Sequence, residues 1–249
     1  MALPDNPYKR ELILVLTQTD VERLEYEPEG HKIWTNDAVS VLSASSDADN
    51  PLVRQLRSAN LVRPGKVLLR SPYHQDQYEE LDVVTERFPL DKYMLFSSLC
   101  QLLGAKRVKV NQVEDASEKV ILKADADGTY KGVGAELEAT NERHKRLERG
   151  LTLSNQFSGG KASPKEATDF LKDYGLWHDN GMKYLVDMRK RENNPLEKYE
   201  LVINLSQETQ NKLDIAASLN VPVFLGIDAD FSKYQESTYQ YEVTIEVEF

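Results

Sequence analysis

The sequence of 249 residues contains a single cysteine, Cys100. An intramolecular disulfide framework is therefore excluded, and the chain suits a reducing compartment. No apolar run approaches the roughly 20 residues that a membrane-spanning helix needs. The longest early run, LILVL at 12–16, is too short for the core of a secretory signal. A cytoplasmic location is the expectation. Positive charge is also scarce, with 31 Lys and Arg against 41 Asp and Glu, a net charge of −10. Such a chain is repelled by nucleic acid phosphates unless its cations are concentrated somewhere. The best concentration is RHKRLER at 143–149, with Arg143, Lys145, Arg146 and Arg149. No aromatic residue interleaves it to stack on bases, so it reads as a solvated or salt-bridged face, and no nucleic acid partner is expected.

Chemical motifs are missing as well. The four histidines, His31, His74, His144 and His178, stand too far apart in sequence for local metal ligation, and one cysteine cannot complete a zinc site. No GxSxG, HExxH or HxE…CxxC pattern occurs. SGGK at 158–161 has the serine–lysine spacing of penicillin-recognising enzymes, but its glycines oppose the required helix and no SDN or KTG companion exists. GGKAS approximates a phosphate loop, yet Asn155 stands where that loop needs glycine and Ala162 where it needs a hydroxyl. A calcium loop through 125–128 fails because its first and twelfth ligand positions are Lys123 and Gly134. No catalytic residue, metal site or cofactor is therefore assigned. The most site-like stretch is SPYHQDQY at 71–78, read as a loop that follows a strand and opens a helix. There Arg70, Tyr73, His74 and Asp76 are candidates for binding a ligand or anion, because helix N-termini attract anions; a polar turn is the plainer explanation.

What the sequence does have is pattern. LILVL reads as a buried strand, T-D-V-E at 19–22 as a capping box opening a helix, and SASSDADNP at 43–51 as a polar loop. VLLR at 67–70 reads as a strand. Tyr78, Leu81, Val84 and Phe88 recur at helical spacing until Pro89. A second helix, capped by Asp91, carries Tyr93, Phe96, Leu99, Cys100 and Leu103, and makes Cys100 a packing residue. RVKV at 107–110 starts another strand. Period-two alternation follows through 157, with residues 140–150 fitting either a strand or a helix; the lone apolar Leu147 leaves that helix no face to bury, which favours one long, bent strand. Ser163-Pro164-Lys165-Glu166 opens a helix with a capping serine, and another starts at Asp179. YELVINL at 199–205 reads as a strand, Ser206 as a cap, and the segment from about Val223 to Phe249 as the final strand.

The fold expected is α+β: a predominantly antiparallel, twisted sheet with unusually long strands in the C-terminal half and helices packed on one face. It forms a single domain over 1–249, or divides into a small α/β region at 1–105 and a long-stranded sheet at 106–249. An unbroken strand over 226–249 would be roughly 80 Å long, against a diameter of roughly 45 Å for a globule of this size. Such a strand must bend or project. A projecting ribbon, with Arg143, Lys145, Arg146, Arg149, Tyr234, Tyr239 and Tyr241 as contact residues, implies a protein partner or a homo-oligomer. The expected function is thus a non-catalytic binding or assembly protein. A membrane-active effector of the β pore-forming type is one alternative, since YQYEVTIEVEF at 239–249 has the alternation of a barrel strand. An enzyme with a dispersed site near His74 is the other.

Overall fold

The computed structural model describes residues 3–45, 50–115, 120–124, 130–133, 150–151, 154–191, 193, 196–226 and 241–249. They form an α+β fold with two sheets, divided between two compact units of discontinuous chain. The first unit takes residues up to Thr85 together with a segment from Glu208; the second takes Glu86–Gln207 and the C-terminal segment.

In the first unit, β1 (Leu12–Leu16), β2 (Val39–Ser43), β3 (Lys66–Arg70) and β4 (Tyr78–Glu80) form a mixed sheet in the order β2-β1-β3-β4. β1 runs parallel to β2 and antiparallel to β3. Every residue of β1 is buried, which is why LILVL is continuously apolar rather than alternating. The parallel pair requires a crossover, supplied by α1 (Gln18–Tyr26) and α2 (Pro28–Trp34). The cap of α1 is Thr17, whose Oγ1 accepts from the Asp20 N–H at 3.2 Å, two residues before the capping box read in the sequence. α3 (Pro51–Ser58) is capped by Asn50, which accepts from the N–H groups of Leu52 and Val53. Its Leu52, Val53 and Leu56 pack on Ile13, Val15, Leu42 and Leu68, each burial contributing about 1.5–3 kcal/mol.

Glu80 closes β4 and is buried against two cations, Arg63 and Lys66. Burial alone would raise its carboxyl, but hydrogen bonds from Lys66 and Arg63 outweigh this and hold it below the usual range. A depressed carboxylate adds stability that is present above its unfolded-state value of about 4.3 and is lost as pH falls through the folded value. Glu80→Gln is therefore expected to lower the urea midpoint at neutral pH and to approach the unsubstituted chain in acid. Equal gaps at both pH values would show that the carboxylate is not the group responsible.

α4 (Leu81–Leu102) is one helix of 22 residues with Pro89 inside it, where the sequence suggested two. Proline at 89 removes the N–H that would bond to the Thr85 carbonyl, a cost of about 3 kcal/mol. Val84 and Phe88 before it and Tyr93, Phe96, Leu99, Cys100 and Leu103 after it are fully buried, and that apolar stripe outweighs the lost bond. Asp91 is not a cap; it pairs with Arg87 one turn back at 3.4 Å. The first helix read from Tyr78 begins only at Leu81, because Tyr78–Glu80 pairs with β3.

The second unit holds β5 (Arg107–Asp115), β6 (Val120–Ala124), β7 (Tyr130–Val133), β8 (Ser154–Gln156), β9 (Lys198–Asn204) and β10 (Tyr241–Glu248). They form an antiparallel sheet in the order β7-β6-β5-β10-β9, with β8 also beside β5. β10 alternates buried and half-buried residues without a break, Tyr241, Val243, Ile245 and Val247 facing the core. β5 carries Val108, Val110 and Val113, a change of phase, and all three are buried. A bulge accounts for this: Thr244 pairs with Gln112 and Ile245 with Val110, leaving Asn111 as the extra residue. The one long, bent strand expected through 157 is instead a set of short strands where it is described, β6 and β7 pairing as a hairpin and β8 returning to β5.

α5 (Pro164–Asp173) and α6 (Asn180–Arg189) follow β8. Asp179 caps α6, its Oδ1 accepting from Met182 N–H at 3.1 Å, whereas the Ser163 side chain makes no capping bond to α5. Asn204, not Ser206, accepts from the N–H groups of Ser206 and Gln207 ahead of α7 (Gln207–Ser218); the Ser206 hydroxyl accepts from Tyr241 N–H. Val221–Leu225 forms a short helix, α8, and Gly226 turns with φ +68°. The expected final strand therefore does not begin near Val223. Its continuation over 227–240 lies outside the described residues, as does most of the ambiguous 140–150 stretch.

Candidate functional site

The loop 71–77 joins β3 to β4 as a hairpin. It does not open a helix, so the helix-dipole argument for an anion at Arg70 does not apply. Ser71 shapes the turn: its Oγ accepts from the N–H groups of Tyr73 and His74, each at 3.2 Å, and its own N–H donates to Gln77 O at 2.8 Å.

Three of the four candidates meet an ionic cluster that is buried except at its rim, where the Asp76 carboxylate is exposed. Arg70 ends β3 beside Glu11, its N–H donating to Glu11 O at 2.9 Å, and its guanidinium pairs with the Glu11 carboxylate. Lys212 of α7 reaches the other carboxylate oxygen. Arg10 donates to Asp76 Oδ1 at 2.6 Å, and the Tyr73 hydroxyl lies 3.5 Å from Glu208 Oε2. Arg10, Glu11, Arg70 and Lys212 are all less than a tenth exposed. His74 enters through its backbone N–H. Burial lowers the Arg70 pKa and pushes the Tyr78 hydroxyl up to about 12. Burial also brings the Lys212 ammonium down to about 8, so it is still mostly charged at neutral pH. Each cation here faces a carboxylate. That is the arrangement of a structural ion network, which organises a sheet end but leaves little charge for a ligand.

The neighbouring cavity, about 250 Å³, is lined by Asp5, Arg10, Asn50, Gln55 and Asp76 among others. The Nε atoms of Arg10 and Arg70 and the Thr209 hydroxyl have no partner among the described residues. The lining mixes both signs and defines no one ligand. Cys100 is fully buried and burial pushes its thiol up, the setting of a packing residue. No group of three or more His, Cys, Asp or Glu among the described residues is placed to hold a metal ion. No helix among them is long and apolar enough to cross a membrane.

Of the ribbon candidates, Tyr241 is described: its side chain is in the core of β10 and its backbone bonds to Leu205 and Ser206. Arg143, Lys145, Arg146, Arg149, Tyr234 and Tyr239 lie outside the described residues.

Two surfaces of the second unit are not singled out as sites by the sequence. One is the polar face of the sheet. Cross-strand pairing aligns Arg107, Glu248 and Lys198 in one row, and Lys109, Glu246 and Glu200 in the next. Lys198 Nζ lies 2.8 Å from Glu246, which holds the Glu246 carboxyl below its usual range, and Asn111 donates to Glu200 Oε2 at 3.0 Å. Val202, 57% exposed, shares this face. The other is a cavity of about 400 Å³ that brings Lys161 together with Arg189, Lys190 and Arg191. The clue to it was the RKR run at 189–191, 28 residues from GGK and joined to it only by folding. No protein-family model matches this chain, and no curated protein or solved structure matches it either.

Proposed function

We infer that the chain is a non-catalytic binding or assembly protein, and that the polar face of its second sheet is the contact surface. The observation that supports this reading is the strict alternation of β10. One side is sealed in the core, while the other presents ordered rows of both charge signs with an exposed valine among them. Charges held in register by a sheet favour specificity and orientation more than raw affinity. Surfaces that mix both signs can also meet a second copy of themselves across a twofold axis. The edge strand β9 is not the preferred contact. Its Asn204 carbonyl accepts from Lys92 at 2.7 Å, and the Val202 carbonyl lies close to Gly181 of α6, which blunts strand addition.

Light scattering coupled to size exclusion tests the self-association form. The mass is expected to rise above 28.4 kDa with concentration and to fall back as salt is added. Glu246→Lys, which reverses the centre of a row, is expected to abolish the rise. A mass that stays at 28.4 kDa throughout would leave only a partner of different sequence, to be sought with the same variant as control.

A further inference from the structure

The cavity between the β8–α5 loop and the end of α6 has two walls of like charge. Lys161 stands on the first. The loop that carries it is tied down on either side: Phe157 N–H donates to Lys106 O at 2.8 Å and Ser163 N–H to Leu102 O at 2.9 Å. Gly104 has φ +81°, and a Cβ there would come within 2.3 Å of the Gly160 carbonyl. The loop thus lies as close to the end of α4 as glycine permits.

The second wall carries Arg189, Lys190 and Arg191. Arg189 is fixed by neutral groups alone among the contacts that position it. Its Nε donates to Leu103 O at 3.2 Å, its Nη1 to Leu196 O at 2.7 Å, and the Phe249 ring centroid lies 4.2 Å from its guanidinium carbon. Burial lowers its pKa, yet an arginine retains its proton. Lys190 is answered by Asp187 at 2.7 Å. Lys161 and Arg191 are exposed and have no acidic partner among the described residues. Among the described residues, no carboxylate lines the cavity.

The helix dipole accounts for cations at the C-terminal end of α6, but not for Lys161 set across from them. Facing cations repel unless an anion lies between them. Cavities of about 300–1,000 Å³ accept small organic ligands, and a guanidinium matches phosphate oxygens in a planar, two-bond fork. Pro164 also lines the space, so the first turn of α5, which the Ser163 side chain leaves uncapped, adds to the positive field.

We propose that this cavity binds a small phosphorylated ligand bearing at least two phosphate charges, with Lys161, Arg189 and Arg191 as its counter-charges. The site does not depend on the sheet-face reading, because the two surfaces share no residue and are read by different measurements.

Calorimetric titration of the full chain with pyrophosphate, at ionic strength matched by sodium chloride, tests it. Saturable binding is expected, weakened by about tenfold or more in Lys161→Glu/Arg191→Glu, since charge-assisted contacts to phosphate are the strong ones. Both side chains are exposed, so the thermal midpoint should not move. Absence of saturable heat with pyrophosphate overturns the proposal. So does an affinity in the double variant that falls by less than that amount.

Discussion

Glu11→Ala is expected to destabilise the first unit by about 3–5 kcal/mol, the usual consequence of removing one member of a buried ion pair. Among the described residues, this carboxylate is the anion that Arg70 and Lys212 both contact, and all three residues are buried. Without it, two cations face each other with their water already stripped away. Burial already lowers the Arg70 pKa with the carboxylate present, so its loss leaves a guanidinium that cannot shed its proton. The two tryptophans make the effect readable, because Trp34 belongs to the first unit and Trp177 to the second. In a Trp177→Phe background, the urea midpoint reported by Trp34 should fall sharply. Replacing Glu11, Arg70 and Lys212 together by apolar residues of similar size should recover most of the loss, since a whole buried network can be exchanged for hydrophobic packing. A small effect of Glu11→Ala alone would mean that water reaches the cluster and screens it.

Lys92→Met is expected to cost the second unit about 2–3 kcal/mol, the scale of hydrogen bonds to a charged group. Lys92 is 1% exposed. Its ammonium lies 3.1 Å from Asp179 Oδ2 and donates to Asn204 O at 2.7 Å. One side chain thereby ties α4 to the cap of α6 and to the end of β9. Methionine keeps the volume and removes the charge, so the change reads the polar contacts and not a cavity. The Asp179 carboxylate would still cap Met182 but would lose its cation. With Trp34→Phe, the midpoint from Trp177 should fall. An additional Asp179→Asn should then cost much less than it does in the unsubstituted chain, because the pair acts as one unit.

The elements that could be read from the sequence are those whose local signal and tertiary setting agree. β1 is apolar throughout and is buried throughout. α6 follows a capping aspartate and buries Met182, Leu185 and Val186 at helical spacing. β10 alternates in the sequence and in the fold. Others carry local signals that the fold overrides. A proline marks a break in isolation, but the apolar stripe on both sides of Pro89 carries α4 through it. A short apolar run such as VPVFL does not distinguish strand from helix, and here it is helical. β2 and α3 passed unread because five and eight residues give too few repeats of either period. Ser206 has the chemistry of a cap, yet its hydroxyl is taken by Tyr241 from a distant part of the chain.

The candidate sites divide in the same way. Arg70, Tyr73 and Asp76 crowd together in sequence, and folding does gather them, but it brings Glu11, Arg10 and Lys212 with them. Those partners lie tens of residues away or more, and they convert a suspected anion site into a network in which each cation meets a carboxylate. Lys161 and Arg191 show the converse, two unremarkable surface cations that become a site only when a glycine loop and a helix end meet.

By itself the sequence determined which faces are dry and which wet, which residues start several helices, and that mostly antiparallel strands and helices share the chain. These follow from side-chain periodicity and backbone preference, which act over a few residues. Strand order, the bulge that keeps Val113 in the core, the continuous α4 and the pairing of the buried charges among the described residues were decided by the tertiary structure. Burial and electrostatics depend on neighbours in space, and no local pattern names them.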